Sequence, residues 1–295
     1  MSSHEFHIVD VFAEKKYAGN QLAVVTDAAD LDTERMQAIA REMNFSETTF
    51  VLGREEGENG FAVRIFTPKE EVPFAGHPTL GTAWVIHREI LSEPRERITL
   101  ALAAGSIPVS FERSADYSEL LWMHQKPPEF GPTVEPGSLC DVLGVAKKEL
   151  ETAHPVQQVS TGLPFWIVPL RNLDAVRRCR IDIAAYDDFI RGREARAILV
   201  FTPKAYDGSN QIHARMFAPC YGVTEDPATG SANGCLAAYL VKHRVLGTGE
   251  IDVRVEQGYE IDRPSLLRLR AWERKEAFEI FVGGRVVHVA RGTLL

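Results

Sequence analysis

One motif is written twice in this chain, and it constrains the fold more than any other feature. Arg64-x-Phe66-x-Pro68-x-x-x-Val72 returns 151 residues later as Arg215-x-Phe217-x-Pro219-x-x-x-Val223. Each copy leads to a glycine, a polar residue and an apolar helix-like run. In the first these are Gly76-His77-Pro78 and Thr79 to Ile86. In the second they are Gly230-Ser231 and Ala232 to Val241. The flanks repeat as well. Gly105 is matched by Gly258 at an offset of 153, and Gly19 by Gly162 at an offset of 143. Collinear matches at near-constant offset imply two similar domains. Two helix-opening polar loops related by a pseudo-twofold are expected to face each other across a cleft, a preferred place for a ligand.

The length agrees with that division, since 295 residues make two domains of roughly 150 each. The boundary falls in the proline-rich stretch Lys126 to Gly137, read as the linker. The first repeat is then 1–126 and the second 127–283, with 284–295 expected to join the first. Acidic residues outnumber basic ones, 41 to 33, and no Lys/Arg run forms a footprint for nucleic acid. No apolar run reaches the length of a membrane span. Met1 to Val9 lacks the apolar core of a signal peptide. Cys140, Cys179, Cys220 and Cys235 are scattered without a C-x-x-C, which reads as reduced thiols in a cytoplasmic protein.

Strands are expected at Phe6 to Phe12, Leu22 to Thr26, Phe45 to Leu52, Phe61 to Thr67, Ile98 to Phe111 and Leu120 to His124, from β-branched and aromatic content. Pro68 to Ala75 reads as a loop. Thr33 to Asn44 reads as a helix, with Met36, Ile39, Ala40 and Met43 at helical spacing and Asp32 or Thr33 as its cap. A second amphipathic helix region lies around Leu173 to Arg191. Thr79 to Ile86 and Cys235 to Val241 are apolar nearly all round, as buried helices are. A buried helix among short strands in each half implies an α+β fold in which a curved sheet wraps a central helix.

Four polar residues stand out as candidates for chemistry. Glu47 sits in a run of strong β-formers. If that strand alternates, Glu47 shares a face with Phe45 and Thr49, where desolvation would raise its pKa toward that of a general acid/base. A solvent-facing strand glutamate is the plainer alternative. His77 falls at the capping position of the first buried helix. Asp226 and Ser231 belong to the corresponding second loop, where Ser231 is a natural N-cap. Two such helix starts would favour a carboxylate ligand. Equally, both could be caps and nothing more. No P-loop, dinucleotide-binding or G-x-S-x-G signature is present, and no residue set has zinc spacing. The chemistry expected is therefore side-chain acid/base catalysis without metal or cofactor.

Taken in order, Asp10-Val11-Phe12, Ala18-Gly19-Asn20, Ser46-Glu47-Thr48, Phe74-Ala75-Gly76-His77, Glu225 to Ser231 and the Arg291-Gly292-Thr293 ending resemble the PhzF family of phenazine-biosynthesis isomerases. The resemblance spans essentially the whole chain. One position departs from it: Gln21 follows Gly19-Asn20 where the family usually has proline. The resemblance implies the diaminopimelate-epimerase-like fold, a homodimer, and isomerisation of trans-2,3-dihydro-3-hydroxyanthranilate. It implies Glu47 as the acid/base, Gly76 and His77 as substrate contacts, and Asp226 as the group holding the amino or hydroxyl side. Ser231, beside Gly230, would bind the carboxylate or hydroxyl. Epimerases of this fold use two cysteines, one before each loop glycine. Here those places hold Ala75 and Thr229, which argues against a two-thiol racemase. The alternatives left are a PhzF-like isomerase or epimerase acting on a different small carboxylate, and a non-catalytic binding protein on the same fold.

Overall fold

Both copies of the repeated motif lie on corresponding strands of two sheets that share one pairing plan. The computed structural model describes residues 3–54, 60–113, 119–275 and 277–295. The chain divides into Met1–His124 with Gly283–Leu295 (unit 1) and Gln125–Val282 (unit 2).

Unit 1 contains β1 (His4–Val11), β2 (Asn20–Val25), α1 (Thr33–Met43), β3 (Glu47–Arg54), β4 (Gly60–Phe66), β5 (Glu71–Val72), α2 (Gly76–Val85), β6 (Arg97–Leu102), β7 (Gly105–Arg113) and β8 (Glu119–His124). Unit 2 contains β9 (Glu129–Val134), α3 (Cys140–Leu143), β10 (Val156–Ser160), β11 (Pro164–Pro169), α4 (Leu173–Arg178), α5 (Ile183–Ile190), β12 (Ala197–Thr202), β13 (Ile212–Ala218), β14 (Val223–Asp226), α6 (Gly230–Lys242), β15 (Glu250–Gln257) and β16 (Ser265–Arg274). β17 (Ala277–Gly284) follows, and β18 (Val286–Leu294) returns to unit 1.

In unit 1 the sheet order is β18-β1-β2-β3-β4-β6-β7-β8, with β2/β3 and β4/β6 parallel and the other neighbours antiparallel. In unit 2 it is β9-β10-β11-β12-β13-β15-β16, with β11/β12 and β13/β15 parallel. The parallel pairs therefore fall at the same ranks. Each needs a crossover. The first crossover is α1 in unit 1 and α4 with α5 in unit 2. The second is the apolar helix, α2 or α6. β18 pairs along β1 where β9 pairs along β10, so an edge of unit 1 that would otherwise be open is covered.

The apolar helices form the core. Every residue of α2 is buried except Trp84, and α2 touches β1, β2, β3, β6, β7, β8 and β18. A sheet can meet one helix along so many strands only by curving around it. The approach is close: a Cβ at Gly81 would lie 2.6 Å from Leu22 and 2.8 Å from Val11, so a larger residue there would force the helix off the sheet. α6 packs likewise on β10, β11, β15 and β16, with Tyr239 edge-on to Phe201 on β12 at 5.7 Å. The other sheet face is covered by the first crossover. In unit 1, Met36 and Ala40 of α1 pack with Val25, Ala28, Phe50 and Phe66. α1 starts at Asp32, whose carboxylate accepts from Arg35 N at 2.8 Å, and stops at Asn44 in the left-handed conformation.

Four sequence expectations need correction. Lys126 to Gly137 is not a linker throughout, because it contains β9. Pro132 is tolerated there because the β9/β10 register breaks between Gln157 and Val159, and a bulge does not need the missing N–H. Leu173 to Arg191 is two helices, since Asp182 opens a new one by accepting from Ala185 N at 2.9 Å. The Pro68 to Ala75 loop includes the short β5. Finally, the α2 helix starts at Gly76 rather than Thr79, and it passes into a π-helical turn at Ile86–Ile90.

The repeated motif has a physical reason. Arg64 on β4 binds both carboxylate oxygens of Glu71 on β5, at 2.8 and 2.6 Å. Arg215 on β13 binds both oxygens of Glu225 on β14, at 2.8 and 2.7 Å. Each guanidinium also lies over the phenylalanine two residues on, at 5.0 Å for Phe66 and 4.9 Å for Phe217. The motif thus clamps the hairpin that leads into the apolar helix. The second clamp is the deeper one, with side chains 3% and 9% exposed against 26% and 35% for the first. Arg215 Nη1 also donates to the carbonyls of Val176, Arg177 and Cys179, satisfying the C-terminal end of α4. Removing one partner of a buried pair leaves a carboxylate desolvated without compensation. Arg215→Met is therefore expected to cost about 3–5 kcal/mol, and Arg64→Met roughly 1 kcal/mol, measured by urea unfolding. Equal losses would show that burial does not separate the two clamps.

Candidate active site

In unit 1 the structure brings Glu47 and His77 together. Glu47 opens β3, and His77 is the second residue of α2. Thr49 Oγ1 meets Thr82 Oγ1 of α2 at 2.8 Å, and Glu47 Oε2 lies 3.5 Å from His77 Nε2. The two contacts fit one geometry. Residues two apart on a strand advance by about 6.7 Å, and residues five apart on a helix by about 7.5 Å. Glu47 and Thr49 thus share the face toward α2, while Phe50 faces α1. The Glu47 side chain is 19% exposed and that of His77 is 6% exposed.

The state of the imidazole follows from its partners. His77 Nε2 faces the Gln21 carbonyl at 3.3 Å as well as the Glu47 carboxylate. Both are acceptors, so Nε2 carries the hydrogen. Burial pushes the ring down to about 3, against a smaller upward pull from the Gln21 carbonyl. His77 is neutral, so its 3.5 Å approach to Glu47 is not an ion pair, and its hydrogen bond goes to the Gln21 carbonyl. Gln21, the residue that departs from the family pattern, makes this contact with its backbone carbonyl.

His213 of unit 2 shows that burial alone does not fix such a charge. It is also fully buried, and burial works to lower it. Hydrogen bonds to Glu256 and Glu260 outweigh that and raise it. Its Nε2 lies 3.0 Å from Glu260 Oε1 and its Nδ1 3.5 Å from Glu256 Oε2. Glu256 in turn accepts from Tyr206 N, Asp207 N and Asn210 Nδ2 at 2.7–2.9 Å, tying the loop after β12 to β15.

In unit 2 the start of α6 carries the other candidates. Asp226 closes β14, is 7% exposed, and accepts a hydrogen bond from the Thr229 hydroxyl. Gly230 and Ser231 are the first two residues of α6, with Ser231 8% exposed. Here two expectations are corrected. His77 and Ser231 are not caps. The caps are Ala75 and Thr229, and neither makes a side-chain capping bond. Gly76 and Gly230 take helical conformation themselves, so each helix begins one residue before the polar side chain. Alanine has no acceptor, and Thr229 spends its hydroxyl on Asp226. Two helix starts therefore lack the usual side-chain partner for N–H groups that the helix itself leaves unpaired.

Sequence reasoning did not single out Gln257. It is fully buried at the end of β15, and its carboxamide bonds Asp226, Thr229 and Asn233. The thiols offer no alternative nucleophile nearby in α6. Cys235 is buried and pushed up to about 12 by desolvation, so it stays a thiol.

Two units on one topological plan, each a mixed sheet around an apolar helix, place the chain among α+β proteins that include a probable proline racemase from Agrobacterium radiobacter. That structure matches with a TM-score of 0.64 at 12% identity, covering 99% of this chain and 93% of that one. The family model described as phenazine biosynthesis-like protein matches residues 9–292, and the chain belongs to this PhzC-PhzF family. A trans-2,3-dihydro-3-hydroxyanthranilate isomerase from Pseudomonas aeruginosa is 36% identical over 294 residues, which are 99% of this chain and 100% of that protein. A PhzF-family phenazine biosynthesis protein from Bacillus anthracis superposes with a TM-score of 0.92 at 28% identity over the whole of both chains.

The neutral His77 has a thermodynamic consequence. In the unfolded chain the imidazole takes up a proton near pH 6.5, and in the fold only near 3. The stability associated with this group is whole above pH 6.5 and is lost as pH falls toward 3, at up to about 1.4 kcal/mol per unit. Between pH 7 and pH 5, His77→Asn is expected to lose about 2 kcal/mol less stability than the wild type, read from urea unfolding at both pH values. Parallel losses would mean that the ring protonates within the fold.

Proposed function

We propose that this chain is an isomerase that moves a proton between carbons of a small carboxylic acid, without a cofactor, and that Glu47 takes and returns the proton. The observation that carries this reading is the Glu47 carboxylate held 3.5 Å from the Nε2–H of a buried, neutral histidine. One carboxylate serves both halves of the reaction: it removes a proton from one carbon and, now protonated, delivers it to another. His77, neutral beside that carboxylate, adds no positive charge, so it leaves the basicity of Glu47 intact. Gly76, beside His77, is assigned to substrate contact.

The activity printed for the Pseudomonas relative makes trans-2,3-dihydro-3-hydroxyanthranilate the substrate to test first. Its isomerisation needs only this transfer between ring carbons, followed by tautomerisation to a ketone. Asp226, an acceptor carboxylate, is assigned to the substrate's amino or hydroxyl side. Ser231 and Gly230 are assigned to the carboxylate, where first-turn N–H groups and the positive end of the helix dipole favour an anion. A homodimer in a reducing, cytoplasmic setting completes the proposal. The four free thiols fit that setting, and sedimentation tests the dimer.

Proton NMR in D₂O with trans-2,3-dihydro-3-hydroxyanthranilate, comparing wild type with Glu47→Gln, tests the reading. Wild-type isomerisation is expected to fall by about 10²–10⁴-fold in the variant, the usual contribution of a positioned acid/base. Unimpaired turnover by Glu47→Gln would remove Glu47 from the mechanism. If wild type leaves this compound untouched, that substrate is excluded, and deuterium incorporation into a panel of small carboxylates then tests the proton transfer itself.

A further inference from the structure

The Gln257 side chain holds both ends of the 226–229 segment. Its Nε2 donates to the Asp226 carbonyl at 2.9 Å and to Thr229 Oγ1 at 3.3 Å. Its Oε1 accepts from Asn233 Nδ2 at 2.8 Å and faces Thr229 N at 3.5 Å. The orientation is forced. Turned over, the amide would set oxygen against the Asp226 carbonyl and nitrogen against two donors. Asn233 is fixed in the same way, because its Nδ2 also donates to the Thr229 carbonyl at 3.0 Å.

That orientation sets the direction of the next bond. The Thr229 hydroxyl accepts from Gln257, so its single hydrogen is free to point the other way, to Asp226 Oδ2. The relay runs amide to hydroxyl to carboxylate, and Asp226 ends it as an acceptor. A second hold acts on the same segment. Gly258 follows Gln257 with φ +77°, and a Cβ there would lie 2.6 Å from the Pro227 carbonyl oxygen and 2.4 Å from that of Arg263. Only glycine lets the end of β15 close down on the residue next to Asp226.

We infer that Gln257 and Thr229 are positioning residues, which hold the Asp226 carboxylate ionised and aimed by a one-way hydrogen-bond relay. The inference rests on the role given to Asp226 above, and two measurements keep the two apart. The first needs no substrate. The ¹³C signal of the Asp226 carboxyl, assigned by its loss in Asp226→Asn, is titrated in wild type, Thr229→Val and Thr229→Ser. Thr229→Val keeps the shape and removes the donor, so its titration midpoint is expected to rise by about one unit, while Thr229→Ser restores the wild-type curve. An unchanged midpoint in Thr229→Val overturns the relay.

The second measurement is kinetic, on whichever compound the wild type isomerises. Thr229→Val is expected to lower kcat by about tenfold or more, the worth of a hydrogen bond to a charged group, with KM changed by less than about twofold. Gln257→Met is expected to act through the same bond, so the double variant falls no further than Thr229→Val alone. Fully additive losses would mean that Gln257 acts elsewhere. If Asp226→Asn turns over like the wild type, the functional role of Asp226 fails, and the carboxyl titration still decides the relay.

Discussion

A helix that is apolar on every side can be buried on every side, and its N-terminus is then the one place where its polar backbone must be dealt with. α2 and α6 impose this condition on the two units. The sheets curve because a flat sheet could not meet such a helix along so many strands. The segment feeding each helix is pinned by a bidentate arginine clamp, Arg64–Glu71 or Arg215–Glu225. The first-turn N–H groups are left without a side-chain cap. A stable protein gains nothing from an uncapped helix start, since a capping side chain stabilises a helix by about 1 kcal/mol. The same uncapped start recurs in both units.

The two units share a scaffold and differ in the side chains around their helix starts. Ala75 and Thr229 are the corresponding N-caps, and Ala104 and Gln257 both precede the turn glycine that ends a strand pair. In unit 1 the tie between that turn and the loop before the helix is backbone to backbone, Ala104 N to Pro73 O at 3.1 Å. In unit 2 a side chain makes it, Gln257 Nε2 to the Asp226 carbonyl at 2.9 Å. The same mechanical link is backbone only in unit 1 and a side-chain network in unit 2, where threonine and glutamine stand in place of two alanines. In unit 1 the candidate carboxylate lies on the neighbouring strand instead, at Glu47.

The same comparison explains what could be seen in the sequence. The repeat was visible because Arg-x-Phe places two side chains on one face of a strand, and the clamp requires both. The shared face of Glu47 and Thr49 was visible because strand alternation is strict. Pro132 misled because proline usually marks a loop, and only the register with β10 reveals the bulge that accommodates it. The caps misled because Ser231 and His77 look like capping residues, whereas the glycine before each is already helical. Gln257 had no local signature at all: its partners lie 24 to 31 residues away in the chain, and they meet it only after β15 pairs with β13 in parallel.

Two of the buried histidines, His77 and His213, show why geometry has to precede any assignment of charge. His213 is flanked by two carboxylates within hydrogen-bonding reach of both ring nitrogens, and their attraction exceeds the cost of burial. His77 has one carboxylate at 3.5 Å and one carbonyl at 3.3 Å, both on the same nitrogen, and burial prevails. A ring that protonates only near pH 3 is a poor base at neutral pH. Of the pair, His77 is therefore unsuited to take up a proton at neutral pH, and the proposed transfer rests on Glu47.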